Sequence, residues 1–248
     1  MEILILISHV PDTTTKIKFD ATGKALDSTG VTFIINPYDE FSLVRALELK
    51  EAGKATKVVA LCVGGPDVEP TIRRALAIGA DEGVRIDAPA QDAAYVARQI
   101  AAYAQGKNYS LIMAGKESID NNGSEVPGMV AELLDLPFVS FATWLEVEGD
   151  RARLKREIDG GMEELEGSLP LVLSAQKGLA EWRIPNMRGI MAARTKPLAV
   201  VPATQAEPDT HVLAYELPAA KASTRYFEPG QEADLLKALV DKGALDLN

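Results

Sequence analysis

Residues 3–7, 57–63 and 110–115 are apolar runs without alternation, broken only by Lys57 and Ser110 at their first positions. That is the pattern of strands covered on both faces in a parallel sheet. A shorter run, Gly83-Val84-Arg85-Ile86, predicts one more strand. Between these runs the apolar positions recur at helical spacing. Leu43, Ala46, Leu47 and Leu49 predict a helix that opens at Asn36-Pro37 and closes near Gly53, and residues 68–78 predict another, stopped by Gly79. A third covers residues 93–104, and a fourth runs through Val130, Leu133 and Leu134. Strand and helix alternate four times, so the expected fold is α/β, a doubly wound, mostly parallel sheet with right-handed crossovers.

The pattern then changes. Residues 138–146 and 151–158 alternate across the turn Glu148-Gly149-Asp150 and predict antiparallel additions to the sheet. Asp159-Gly160-Gly161 is a strong hairpin signal, because such residues supply positive φ. Residues 169–175 read as a further buried strand. After it comes a polar surface segment in which Trp182, Ile184 and Met187 stand among Arg183, Arg188 and Arg194. Two readings fit this composition equally: a docking surface, or a surface loop whose Trp caps the core. Residues 201–230 hold Pro202, Pro208, Pro218 and Pro229 with few apolar runs, the composition of an extended arm, and residues 231–242 predict an amphipathic helix with Leu235, Leu236, Leu239 and Val240 on one side. The chain is therefore expected to divide into an α/β nucleotide-binding domain, 1–197, and a C-terminal arm with a helix, 198–248, that lies on a partner subunit or back on its own domain.

Composition narrows the function. A chain of 248 residues with 47% hydrophobic and 25% charged residues has the size and balance of a globular domain that needs no disulfide or metal. The net charge of −10 argues against nonspecific binding to nucleic acid, so an anionic ligand must be held by local groups. No apolar run is long enough to span a bilayer. A strand beginning at residue 2 leaves no room for a targeting segment, and the expectation is a cytoplasmic, bacterial protein. The single cysteine, Cys62, excludes an internal disulfide and a Cys-cluster metal site; it is expected in the core. With only His9 and His211, a His-rich metal site is not expected.

Candidate binding chemistry collects where ligands bind in open α/β sheets, outside the carboxyl ends of the strands. Ser8 to Thr13 leaves the first strand as a loop, and residues 16–24 resemble a small hairpin around Gly23, a lid or flap. Asn36 is the expected helix cap, with Pro37 at the first helical position and Asp39 and Glu40 favouring the helix dipole. The Gly64-Gly65 pair is read equally as a ligand approach and as a tight turn. The polar stretch Asp120-Asn121-Asn122-Gly123-Ser124-Glu125 immediately before a helix has the outline of an anion site, although a plain capping turn has the same residues. Glu157, Asp159, Glu163 and Glu164 read as solvated strand charges rather than paired catalytic carboxylates. There is no nucleophile elbow, HExxH or CxxC, and no GxGxxG follows the first strand, which disfavours a nicotinamide dehydrogenase. A ligand-binding edge without a catalytic set reads as a carrier or binding subunit rather than an enzyme, with any redox chemistry supplied by a cofactor.

The run Arg156-Glu157-Ile158-Asp159-Gly160-Gly161, then Glu163, Leu169-Pro170, and Glu181-x-Arg183 leading to Gly189-Ile190-Met191-Ala192-Ala193 resembles the signature of the electron transfer flavoprotein beta subunit. Similar agreement extends over Ile34 to Glu40, Thr71 to Asp81 and Ala114-Gly115-Lys116. The resemblance implies a Rossmann-like fold and a heterodimer with an alpha subunit that holds most of the FAD site. It implies AMP in a pocket formed by Leu6, Ile7, Ser8, Asn36, Pro37, Tyr38, Asp39, Val63, Gly64, Gly115, Asp120, Asn121, Asn122, Gly123, Ser124, Glu125 and Val126. It implies docking on flavin dehydrogenases, such as acyl-CoA dehydrogenases, through Trp182, Arg183, Ile184, Met187, Ile190 and Met191, and electron delivery to a quinone oxidoreductase. This chain departs from the family's usual residues at Trp182, in place of Pro, at Glu125 and Val126, in place of Gln and Thr, and at Ser8 and His9, in place of basic residues. The alternatives are an adenine-nucleotide module of the universal-stress or adenine-hydrolase type without flavin, and a bifurcating complex in which a second FAD replaces AMP.

Overall fold

The computed structural model describes residues 1–221 and 223–246; the expected arm also included 222, 247 and 248, which lie outside the described residues. Two compact units are present, Met1–Leu213 and Ala214–Asn248.

The first unit is built on the strands β1 (Glu2–Leu6), β2 (His9–Pro11), β3 (Phe33–Ile35), β4 (Lys57–Gly64), β5 (Glu82–Asp87), β6 (Tyr109–Gly115), β7 (Phe138–Glu148), β8 (Arg151–Ile158), β9 (Gly161–Ser168), β10 (Leu171–Ala175) and β11 (Leu198–Pro202). Its helices are α1 (Pro37–Glu51), α2 (Glu69–Ile78), α3 (Ala93–Ala104), α4 (Val126–Leu134) and α5 (Met187–Ala193). Nine strands form one sheet in the order β11-β5-β4-β1-β6-β10-β7-β8-β9, parallel except for the β7-β8-β9 meander. The α/β doubly wound reading therefore holds, antiparallel additions included.

Alternation along β1 shows why the apolar runs are unbroken. Ile3 and Ile5 pack with Leu43, Leu47, Ala75 and Leu76 of α1 and α2 on one face. Leu4 and Leu6 pack with Tyr95, Ile100 and Val130 of α3 and α4 on the other. From β1 the chain steps to β4 and β5 on one side, then returns to β6 on the opposite side of β1. Because the crossovers are right-handed, this reversal moves the helices to the other face and opens a crevice between the carboxyl ends of β1 and β6.

Four expectations are corrected. The loop after the first strand contains β2, which pairs antiparallel with β3 as a small separate sheet (His9 opposite Ile35, 26 positions on). The expected hairpin at 16–24 is reduced to a single bridge, Phe19 to Leu26. Leu198–Pro202 is a strand, β11, paired parallel with β5, so these residues belong to the main sheet rather than to an arm; proline is tolerated there because the strand is an edge. The segment after β10 is not all loop, because Asn186 caps α5 by accepting from the Gly189 amide at 2.8 Å. The second unit carries α6 (Glu232–Asp241), the predicted C-terminal helix.

No helix among the described residues is long and apolar enough to cross a membrane.

Candidate functional site

The crevice at the reversal point is closed by one buried carboxylate. Asp39, in the first turn of α1, is 3% exposed. Its Oδ2 accepts the Ser8 amide at 2.7 Å and its Oδ1 accepts the Gly115 amide at 2.7 Å, joining the ends of β1 and β6. Asp39 stands in the first turn of α1 as the sequence pattern suggested, but it is buried there and binds these two amides. The same chemistry explains Gly115: a Cβ there would lie 2.5 Å from Tyr38 Cβ and 2.7 Å from the Tyr38 carbonyl carbon. The Ser42 hydroxyl donates to the Ala114 carbonyl at 2.6 Å, tying the next turn of α1 to β6.

Asn36 is also not the side-chain cap expected of it. Its Nδ2 donates to the Glu117 carbonyl at 2.8 Å and its Oδ1 accepts the Ile119 amide at 3.3 Å. Its backbone amide donates to the Ser8 carbonyl at 3.0 Å. One buried amide therefore fixes the loop after β6 against the loop after β1. Within that loop, the Ser118 amide donates to the Gly123 carbonyl at 3.0 Å, the Asn122 amide to the Ser118 carbonyl at 2.7 Å, and the Gly123 amide to Asn121 Oδ1 at 2.7 Å. Asn122 takes φ 54°, a conformation Asn adopts more readily than most residues. Lys116 stands 4.9 Å from the centre of the Tyr38 ring.

The N-terminus of α4 follows, and no side chain caps it. Asp120, Asn121, Asn122, Ser124 and Glu125 are exposed beside it. A nine-residue helix whose first-turn amides are left uncapped, next to exposed Asn and Ser donors, offers the donor set a phosphate requires. Glu125 is the exception: it occupies the cap position with a carboxylate but without a capping bond.

The structure brings Ser8, Asn36, Tyr38, Asp39 and Gly115 into direct contact, and the stretch from Asp120 to Val126 follows from the same loop. Leu6 and Ile7 are buried at the end of β1. Val63 and Gly64 end the neighbouring β4, but there the glycines serve the turn: a Cβ on Gly64 would sit 2.3 Å from Val68 Cγ1, and one on Gly65 2.7 Å from Asp67 Oδ1. The tight-turn reading of that pair is the one the geometry favours. Cys62 is buried as expected, its thiol pushed up to about 12 by burial. Glu163 and Glu164 pair with Arg156 and Lys155 across the β8-β9 ladder, as charges on a solvated strand do.

Burial pushes the Asp39 carboxyl up to about 7, against the Ser8 and Gly115 amides that favour its ionised form. The unfolded value is 3.8, so the native state binds the proton more tightly between the two. The contribution of this group is complete below pH 4 and is lost as pH rises to 7. The stability advantage of the native protein over an Asp39→Asn variant should accordingly narrow from pH 4 to pH 7, as read from thermal unfolding across that range. A constant difference would show that Asp39 stays ionised throughout.

The docking candidates lie elsewhere. Ile184, Met187 and Met191 are 77%, 72% and 66% exposed, and Trp182 and Ile190 are exposed beside them. Arg183 is engaged within the chain: its guanidinium reaches Glu51 of α1 with bonds of 2.6 and 3.0 Å. Arg188 and Arg194 are exposed and make no side-chain hydrogen bond or ion pair among the described residues. Sequence reasoning missed Asn186 as the cap of α5, although an Asn three residues before Gly189 was a readable signal. It also missed Arg73 and Lys196, whose partners are far apart in sequence.

A family model described as the electron transfer flavoprotein domain matches residues 24–206. The chain is 40% identical over 224 residues to an electron transfer flavoprotein subunit beta of Syntrophomonas wolfei, covering 90% of this chain and 88% of the relative. It is 35% identical over 251 residues to the protein of that name from Bacillus subtilis, covering 97% and 96%. With the one from Sus scrofa the identity is 36% over 210 residues, covering 82% of each chain.

Proposed function

The chain belongs to the electron transfer flavoprotein family as a beta subunit, and from that premise we propose that it pairs 1:1 with an alpha subunit in a heterodimer containing one FAD. In this reading the complex accepts electrons from flavin dehydrogenases, for example acyl-CoA dehydrogenases, and passes them to a quinone reductase or another acceptor, in the cytoplasm. FAD, held mostly by the alpha subunit, supplies the redox chemistry; this chain contributes binding and positioning and no catalytic side chain of its own. Residues 214–246 lie on the alpha subunit.

The observation that carries the reading is the joining of Ser8, Asn36, Asp39 and Gly115 at the crevice between β1 and β6, beside the uncapped start of α4. That arrangement supports an adenine nucleotide, AMP, with its phosphate toward the amides from Ser124 to Val126 and its base toward Leu6, Ile7 and Val63. Ser124 and Asn121 offer further donors, and Lys116, paired with Glu117 at 3.4 Å, is a cation carried by the same loop. The Glu125 carboxylate would have to turn to solvent, and its exposed position allows that. Met187 and Met191 form the apolar knob for the dehydrogenase, with the exposed cations Arg188 and Arg194 in the same segment. In a chain of net charge −10 this basic, apolar segment favours a partner pocket with an acidic rim.

The test is co-expression with the alpha-type partner, purification, a visible spectrum, and identification of acid-released nucleotides by mass. One FAD and one AMP per heterodimer is expected. Two FAD without AMP would make this the beta subunit of a bifurcating complex; a colourless chain that binds nucleotide alone would overturn the electron-transfer reading.

A further inference from the structure

Helices α2 and α5 close each other's ends. The Arg73 guanidinium, from the middle of α2, donates through Nη1 to the carbonyls of Ala193 and Lys196, both at 2.7 Å. These are acceptors at the end of α5, where a helix leaves its last carbonyls unpaired. Lys196 returns the arrangement: its Nζ donates to the carbonyls of Leu76 at 2.9 Å and Ala80 at 2.6 Å, at the end of α2. α5 thus receives a cation at its negative end from α2, and α2 one from the segment just after α5.

Between these two locks the helices touch. A Cβ on Gly189 would lie 2.3 Å from the Ala77 carbonyl oxygen, so α5 approaches α2 as closely as only glycine permits. Glycine inside a helix costs about 1 kcal/mol relative to alanine, and the contact accounts for its presence. Gly189 and Ala193, one turn apart, form the side of α5 turned to α2, and Ala193 is buried. Met187 and Met191, also one turn apart, are the exposed side. At the other end of the segment, Arg183 is held by Glu51. A seven-residue helix does not sustain itself in water. Its order comes from these ties.

We propose that Arg73, Lys196 and Gly189 are positioning residues for partner docking: their cross-cap holds α5 in one orientation and presents Met187 and Met191 already ordered to the dehydrogenase. This rests on the docking role given to α5 above. A knob ordered in advance spares the partner the entropy of ordering it, and a small tilt of α5 moves both methionines out of register with a partner pocket.

The experiment uses the co-expressed heterodimer, reduced by an acyl-CoA dehydrogenase with its acyl-CoA, and compares Lys196→Met, Arg73→Gln and Gly189→Ala with wild type. The expected result is a KM for the dehydrogenase raised about tenfold with kcat within about twofold, and faster amide exchange across residues 186–196. Lys196→Met deletes two hydrogen bonds while keeping an apolar stem of similar length, so it tests the idea even where Gly189→Ala fails to fold. Faster exchange or a lower Tm with an unchanged KM would make the cross-cap merely structural and overturn the proposal. A wild-type heterodimer that the dehydrogenase does not reduce at all would overturn the docking role itself, and the cross-cap proposal with it, before any variant is compared.

Discussion

Replacing Asp39 with alanine is expected to lower stability by roughly 2–6 kcal/mol and to empty the proposed nucleotide site. The magnitude follows from what the side chain leaves behind. The amides of Ser8 and Gly115 each donate to Asp39 at 2.7 Å. Each buried donor left unsatisfied costs about 1–3 kcal/mol, to which the cavity adds. Asparagine does not rescue the site. Its oxygen can face one amide, but its NH₂ group must then face the other, donor against donor. The two amides stand at the ends of β1 and β6 on either side of the crevice, so their separation widens the place where the nucleotide is expected. Thermal unfolding of the heterodimer and mass analysis of its released nucleotide check both parts. A variant with wild-type Tm and full nucleotide content would show that neither amide depends on this carboxylate.

Met187→Ala is expected to cost the docking interaction about 2 kcal/mol, roughly a 30-fold loss in kcat/KM for reduction by the dehydrogenase. Met187 is 72% exposed, so it contributes little to the fold, and its truncation opens no cavity. Its neighbours in the chain are held by other means: Asn186 caps the helix, and Arg73 closes its end. FAD content should therefore be unchanged. The check is steady-state reduction with the dehydrogenase varied, alongside the flavin spectrum. A loss of FAD instead would make the segment part of the cofactor site, and an unchanged kcat/KM would remove Met187 from the docking surface.

The two faces of the sheet were legible from periodicity. Ile3 to Ile7, with Val58 to Val63 and Leu111 to Ala114, has no polar position because helices cover both sides, and that pattern survives in the sequence without knowledge of any contact. The hairpin turn at Asp159-Gly160-Gly161 was legible for the same local reason, with Gly160 at φ 87°. What was misread involved a choice between local and distant partners. Asn36 and Asp39 have the chemistry of a cap and a first-turn acid, and by local rules they belong to α1. In the fold, both are buried at 1% and 3% exposure and serve loops more than seventy positions away, save for the Ser8 amide. The β2-β3 pairing and the β11 edge strand were missed because a three- or five-residue strand carries too little pattern to be distinguished from a loop until its partner is known.

By itself, then, the sequence determined the alternation of elements, the two-faced burial of the central strands, the absence of a motif for stand-alone catalysis, and a signature from Arg156 to Ala193 specific enough to identify the family. Those properties are written in spacing and residue type, which are local. Tertiary structure alone decided which polar groups meet: Asp39 with the ends of β1 and β6, Asn36 with the loop after β6, and Arg73 and Lys196 across α2 and α5. A buried donor or acceptor must find a partner wherever the chain brings one, and that place is set by the packing of the whole domain rather than by neighbours in the chain.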